Sequence, residues 1–185
     1  MPAVLLDACV LYPAALRDFL LQLVEAEVFR GHMTRTILDE CFRSVLRKRP
    51  DLDPDKLRKT RDAIEGAFAD LMIEGHEHLI AGLALPDPDD RHVLAAAIHE
   101  GVPVIVTFNL RDFPVAALAP HGVVAVHPDA FVSAWVEAAP GTVLEVVRKQ
   151  ARGLRNPPTT LDQLLDRIEA QGLPNAVAAM RRHLG

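Results

Sequence analysis

Short apolar runs that alternate with helical segments are the feature of this sequence that most constrains its fold. Buried strands are predicted where an apolar run lacks polar alternation, at residues 3–7, 79–85, 102–108 and 123–127. Helical periodicity or helix-start residues predict helices at residues 14–29, 36–49, 54–73 and 88–100. Strands that alternate with helices predict an α/β fold, with a parallel sheet flanked by helices on both faces.

The pattern changes after about residue 130, where strand signals end. The helix-start pattern known as a capping box occurs there twice, in the pairs Thr142/Glu145 and Thr160/Gln163. Breaks between helices are predicted at residues 140–141 and 156–158. We therefore expect an α/β domain over residues 1–130 and a helical C-terminal extension over residues 131–185.

Composition excludes several classes of protein. The 185 residues carry a net charge of −5, which disfavours a general nucleic-acid coat but allows a local basic patch. Two cysteines cannot build a disulfide framework, and no apolar run reaches the length of a membrane span. The first residues lack the basic flank and long apolar run of a signal peptide. We expect a cytoplasmic protein with no membrane partner.

Acids and amides follow the predicted strands. Asp7 ends the first strand, Asn109 and Asp112 follow the strand at 102–108, and Asp87 to Asp90 follow the run at 79–85. The carboxyl ends of parallel strands lie at one edge of a sheet, and sites of such folds lie beyond that edge. We therefore expect these side chains to lie near one another.

Helical phase distinguishes the acids from one another. Asp90 is in line with the apolar stripe of its helix, whose members are Val93, Leu94, Ala97 and Ile98. A carboxylate on an apolar face needs compensation, whereas Asp87 fits a simple helix cap. Glu40 lies at the edge of another apolar stripe and shares a helix face with Arg43 and Arg47, an arrangement that an exposed helical ion pair would also explain.

Carboxylates that converge without basic partners repel one another, which a shared proton or a hard divalent cation would relieve. Mg²⁺ and Mn²⁺ prefer oxygen ligands and can stabilise the transition state of phosphodiester hydrolysis. A glycosidase-type acid and base pair fits less well, because the chain has one Trp and one Tyr to stack on sugars.

Four sequence blocks resemble those of PIN domains, and they stand in that family's order: LLDACVL, ILDECFRSVLR, LPDPDDRHVLAAA and VTFNLRDFP. The resemblance covers roughly residues 3–130, and the C-terminal helices resemble an extension found in one subgroup. It implies a PIN-like fold and a metal-dependent endoribonuclease, the toxin of a VapC-type toxin–antitoxin pair.

The resemblance also implies the site residues. The catalytic and metal-binding acids would be Asp7, Glu40, Asp90 and Asp112, with Thr107 and Asn109 in support. Asp7 and Asp90 would hold Mg²⁺ or Mn²⁺, Glu40 would orient or deprotonate water or complete the metal shell, and cleavage would leave 5′-phosphate and 3′-hydroxyl ends. Asn109 replaces an acid that many members carry, and Cys9 replaces a hydroxyl or amide residue.

The hypothesis also includes expected partners, and two alternative functions stay open. Arg43 and Arg47, in a segment with an excess of basic residues, are candidates for RNA contact, although most charge runs are solvated surfaces. An RNA substrate, a cognate antitoxin and a homodimer are expected partners. The alternatives are a PIN-fold protein-binding scaffold without catalysis and a haloacid-dehalogenase-type phosphohydrolase, which would need an Asp where Cys9 stands.

Overall fold

The computed structural model describes residues 1–155 and 157–185, so Asn156 of the predicted break at 156–158 lies outside the described residues. Two compact units are present. The sheet unit comprises Ala3–Tyr12 and Gly31–Val126, and the helical unit comprises Met1–Pro2, Pro13–Arg30 and His127–Gly185. The predicted α/β class with a sheet, flanking helices and C-terminal helices is confirmed.

A four-stranded sheet runs in the order β2-β1-β3-β4. Its strands are β1 Ala3–Leu6, β2 Arg30–His32, β3 Val104–Val106 and β4 Val124–Val126. Strands β1 and β4 each pair in parallel with β3, with Leu5 opposite Ile105 and Ile105 opposite Ala125. This arrangement brings the carboxyl ends of β1 and β3 side by side.

Helices and short 3₁₀ helices connect the strands. The α-helices are α1 Ala8–Leu11, α2 Ala14–Glu25, α3 Arg35–Lys48, α4 Pro54–Ala67, α5 Glu77–Ile80, α6 Arg91–Glu100, α7 Val115–Leu118, α8 Pro128–Ala138, α9 Pro140–Gly153, α10 Leu161–Ala170 and α11 Pro174–Leu184. The 3₁₀ helices are Ala69–Leu71, Pro88–Asp90, Leu110–Asp112 and Ala119–His121.

The core of the sheet unit is formed by the strands and the helices that cover them. Leu5, Leu6 and Ile105 are fully buried. Helix α6 packs against β3, α1 against α3, and α3 against α4. Local sequence accounts for where α4 begins, because Asp53 caps it as predicted by accepting the amide N–H of Asp55 at 2.9 Å. These contacts fix the elements that carry the acids.

The helical unit contains α2 together with α8 to α11. Helix α8 packs on α11, and α2 packs on α9 and α10. The buried carboxylate of Asp129 accepts the amide N–H groups of Asn175 and Ala176, at 3.2 and 2.8 Å, and so satisfies the start of α11. The predicted capping box of Thr160 and Gln163 is confirmed at the start of α10. The division of the sequence at residue 130 stays a prediction.

Several sequence-based predictions of local structure are wrong. The predicted strand at 79–85 does not form, because α5 occupies Glu77–Ile80 and a turn follows. That run is rich in Ala, Leu and Gly, which favour strands weakly, and its side chains are not buried. The helix predicted over 54–73 ends at Ala67, since Met72 instead pairs with Met33 beside β2. Thr142 lies inside α9, which begins at Pro140, and caps nothing.

No single helix among the described residues has both the length and the apolar character of a membrane span. Helices α8 and α9 have this length and apolar character only when they are counted as one segment, and the chain bends by 116° between them.

Candidate functional site

Asp7 stands where β1 ends and α1 begins. Its carboxylate Oδ1 accepts the amide N–H of Ala8 at 2.6 Å and caps α1. Its own amide N–H donates to the carbonyl of Val106, which continues the pairing of β1 with β3. Only 4% of the residue is exposed. Asp7 is thus fixed by backbone and side chain at the carboxyl edge of the sheet.

Thr107 and Cys9 hold the other carboxylate oxygen of Asp7. The Thr107 hydroxyl, fully buried after β3, donates to Asp7 Oδ2 at 2.7 Å. The Cys9 thiol donates to the same oxygen at 3.1 Å and accepts the amide N–H of Phe108 at 3.2 Å. Burial, together with the charge of Asp7, raises the pKa of Cys9 to about 12, so the thiol stays protonated and unreactive. Cys9 therefore serves this network as a hydrogen-bond donor.

Asp90 ends a 3₁₀ helix and immediately precedes α6. Asp90 is half-buried. Burial, and then the negative charges of Asp7, Asp87 and Asp112, raise its pKa from 3.8 to about 7, against a smaller opposing effect of His92. The structure therefore brings Asp7 and Asp112 within electrostatic reach of Asp90. It also adds Asp87, which caps the 3₁₀ helix as predicted by accepting the amide N–H of Asp89 at 2.9 Å.

Asp112 and Asn109 lie on the loop after β3. The amide N–H of Asp112 donates to the Asn109 carbonyl at 2.9 Å, and the amide N–H of Asn109 donates to Thr107 Oγ1 at 3.0 Å. The side chain of Asp112 is 18% exposed, and its ion-pair partner Arg111, at 3.5 Å, is 90% exposed. Such an exposed, flexible cation neutralises Asp112 weakly. Asn109 itself is exposed.

Glu40 lies on α3 and contacts a residue that sequence reasoning missed. Its Oε1 lies 3.2 Å from Nε2 of His92, at ion-pair distance, although the orientation is not that of a hydrogen bond. His92 is the second residue of α6 and is only 8% exposed. In the sequence, the only indication that His92 belongs to the site is its position two residues after Asp90.

Arg43 and Arg47, the candidates for RNA contact, are exposed on α3. Arg47 donates to the Ser44 hydroxyl at 3.5 Å, and within residues 1–155 and 157–185 neither arginine forms an ion pair with a carboxylate. Other cations nearby are paired, Arg49 with Asp51 at 2.6 Å and Arg61 with Asp39 at 2.8 Å. The two candidates therefore keep their charge available to an anion.

The acids fit a hard divalent cation in donor chemistry and in charge. Carboxylate oxygens are the ligands that Mg²⁺ and Mn²⁺ prefer, and a cation would relieve the repulsion that raises the pKa of Asp90. Across the described residues, no three His, Cys, Asp or Glu side chains already surround one point. Binding of an ion would thus require carboxylates to rotate, which half-buried Asp90 and Asp112 can do more readily than Asp7.

Comparisons with known proteins agree with this geometry. The family model described as "PIN domain" matches residues 3–111, and the one described as "VapC50 C-terminal domain" matches residues 128–182. The chain belongs to the PIN domain family, and its C-terminal helices are of the VapC50 type. This membership excludes the haloacid-dehalogenase alternative.

One curated relative comes from Mycobacterium tuberculosis (strain ATCC 25618 / H37Rv) and bears the name "Putative ribonuclease VapC50". It is 40% identical over 93 residues, which are 50% of this chain and 54% of that protein. The match thus spans about half the length of the relative. No solved structure matches the chain.

Proposed function

We propose that this protein is a metal-dependent endoribonuclease and the toxin of a toxin–antitoxin pair. The observation that carries the proposal is the gathering of Asp7, Asp90 and Asp112 at the carboxyl edge of a PIN-family sheet, with the charge of Asp90 left without a basic neighbour strong enough to keep it ionised. The name of the M. tuberculosis relative supports the same activity.

The surroundings of the four acids support different roles in catalysis. Asp7, Asp90 and Asp112 are the residues that would hold Mg²⁺ or Mn²⁺, which when bound supplies positive charge to the phosphodiester in the transition state. Thr107 and Cys9 hold Asp7 in one rotamer, so that its carboxylate needs no reordering when an ion arrives. Glu40, half-buried and 3.2 Å from His92, orients the attacking water or accepts its proton. Cleavage leaves a 5′-phosphate and a 3′-hydroxyl.

The experiment that tests the proposal is an RNA cleavage assay with purified protein. We expect cleavage with Mg²⁺ or Mn²⁺ and none after addition of EDTA, with activity restored by excess divalent ion. Product ends are read by their susceptibility to enzymes that require a 5′-phosphate. Intact RNA under all these conditions, without stabilisation of the protein by either ion, would favour a non-catalytic PIN-fold scaffold.

The exposed arginines of α3 give a separate prediction for RNA binding. The double charge reversal Arg43→Glu/Arg47→Glu should weaken RNA binding. The plot of the logarithm of the association constant against the logarithm of the salt concentration should become less steep by about 1.4, or about 0.7 for each phosphate of a single strand that the protein no longer neutralises. Fluorescence anisotropy with labelled RNA, without divalent ions, measures both quantities.

A matched control exists on α4. Lys56 and Lys59 are exposed, so Lys56→Glu/Lys59→Glu makes the same change in net charge at another surface. Equal weakening by both double variants would mean that overall charge, and not the α3 face, governs binding.

The toxin assignment brings a second partner. We propose a cognate antitoxin protein and a homodimeric assembly in the cytoplasm. Co-expression with the product of a neighbouring small gene should relieve growth inhibition and yield a stable complex on size exclusion, whereas growth unaffected by the protein alone would contradict the toxin role.

A further inference from the structure

His92 is a buried histidine whose ring nitrogens have no hydrogen-bond partner among the described residues. Its ring is enclosed between α6 and neighbouring elements, and neither ring nitrogen forms a hydrogen bond with the described residues. An imidazole buried without hydrogen bonds reduces stability, because it loses its contacts with water. What the ring does face is the Glu40 carboxylate, 3.2 Å from Nε2.

The contact joins two parts of the site. Glu40 belongs to α3, whereas Asp90 immediately precedes α6, and His92 follows Asp90 by two residues. A glutamate side chain has three rotatable bonds, and the side chain of Glu40 is 32% exposed, so its carboxylate would otherwise sample several rotamers. The imidazole of His92 lies on the first turn of α6, so a Glu40 carboxylate held against it stays near the end of that helix that follows Asp90.

Other histidines lie in the neighbourhood of His92. Helix α5 packs on α6, and His76, which directly precedes α5, is 3% exposed. His76 lies within electrostatic range of His92 and His99, and the rings of His78 and His99 contact edge to face at 5.8 Å between centroids. His92 is thus itself buried and lies near a second buried histidine, His76.

We propose that His92 is a positioning residue that holds the carboxylate of Glu40 toward the acidic cluster of Asp7, Asp90 and Asp112. The inference rests on the proposed metal-dependent nuclease function. It assigns His92 no contact with substrate or ion. Because His92 also has a small direct electrostatic effect on Asp90, the variants in the Glu40→Gln background isolate the part of its effect that passes through Glu40.

The test compares variants of His92 with and without Glu40. His92→Leu removes the polar contact at similar bulk, His92→Gln keeps a polar side chain of similar reach, and Glu40→Gln removes the charge of the group being positioned. Mn²⁺ affinity is measured by calorimetry without RNA, and kcat and KM for RNA cleavage are measured at saturating Mn²⁺.

We expect His92→Leu to reduce Mn²⁺ affinity or kcat by about 10- to 100-fold, the range typical when a partner of a metal-site residue is removed. His92→Gln should retain most of the wild-type values, and KM for RNA should change little. In the Glu40→Gln background, His92→Leu should cause no further loss, because two residues that act as a unit are not additive.

Two outcomes would overturn the positioning role. One is wild-type Mn²⁺ affinity and kcat in His92→Leu with only the melting temperature changed, and the other is an equal loss in the Glu40→Gln background. If His92→Leu fails to fold, His92→Asn replaces it: the shorter amide should be impaired where His92→Gln is not, and equal values in the two would refute the proposal. A wild-type protein that neither binds Mn²⁺ nor cleaves RNA would instead refute the nuclease function itself.

Discussion

Asp90→Asn should reduce RNA cleavage by more than about 100-fold, which exceeds the usual effect of altering a residue that only supports a metal ligand. The substitution keeps the size of the side chain but removes the charge that would bind the ion. Cleavage is measured at saturating RNA and over a range of Mn²⁺ concentrations. Asp89→Asn is the matched control, since Asp89 is exposed at the same helix start and should retain full activity. Equal activity in both variants would remove Asp90 from the site.

The same variant should be more stable than the wild type in the absence of metal. Folding raises the pKa of Asp90 from 3.8 to about 7, so its ionised form opposes folding. The stability that the protonated Asp90 contributes is complete below about pH 4 and is lost as the pH rises through about 7. With EDTA present, the melting temperature of Asp90→Asn should exceed that of the wild type at pH 8, and the difference should shrink toward pH 4. A difference independent of pH would contradict this origin.

Asp7→Ala should lower the free energy of unfolding by about 3 kcal/mol, because it removes a helix cap and leaves buried donors without an acceptor. The donors to Asp7 are the amide N–H of Ala8, the Thr107 hydroxyl and the Cys9 thiol, of which the last two can still pair with each other at 3.3 Å. Urea denaturation measures the loss. Asp7→Ala therefore tests the fold and the chemistry at once, and loss of cleavage in it carries less weight than the loss in Asp90→Asn.

Conservative variants separate the contributions to this network. Asp7→Asn keeps one acceptor oxygen and should lose about half as much stability as Asp7→Ala. Thr107→Val keeps the shape of the side chain but removes the donor to Asp7 and the acceptor of the Asn109 amide N–H, so it should cost about 2 kcal/mol. If Asp7→Ala unfolded at the same urea concentration as the wild type, the hydrogen bonds to Asp7 would have no net effect on stability.

Features set by neighbouring residues were predictable from the sequence. The caps at Asp53, Asp87 and Thr160 depend on one side chain and an amide two or three positions away, so local sequence determines them. Strands β1, β3 and β4 could be found because each is a continuous apolar run. Burial accounts for this pattern in β1 and β3, whereas Val124 of β4 is 53% exposed. The placement of Asp7 after β1 and of Asp112 after β3 followed from those elements. Asp90 was expected after a strand and within a helix over 88–100, whereas the structure has no strand there and α6 begins at Arg91.

Features set by distant contacts were not predictable. Strand β2 has three residues without an apolar pattern, and it forms because β1 offers it a pairing edge. The run at 79–85 is as apolar as a strand, yet no strand of the sheet pairs with it. Helix α4 ends early for a similar reason, since Met72 is needed for pairing with Met33.

The sequence by itself determined the α/β class, the local caps and the acids that flank β1, β3 and α6, because periodicity and strand-end position are properties of adjacent residues. Only the tertiary structure decided how these acids are neutralised or left charged. It joined Thr107 to Asp7 across 100 residues, and it placed His92 against Glu40. Hydrogen bonding, burial and repulsion between charges depend on distances in space, and those distances exist only once the chain has folded.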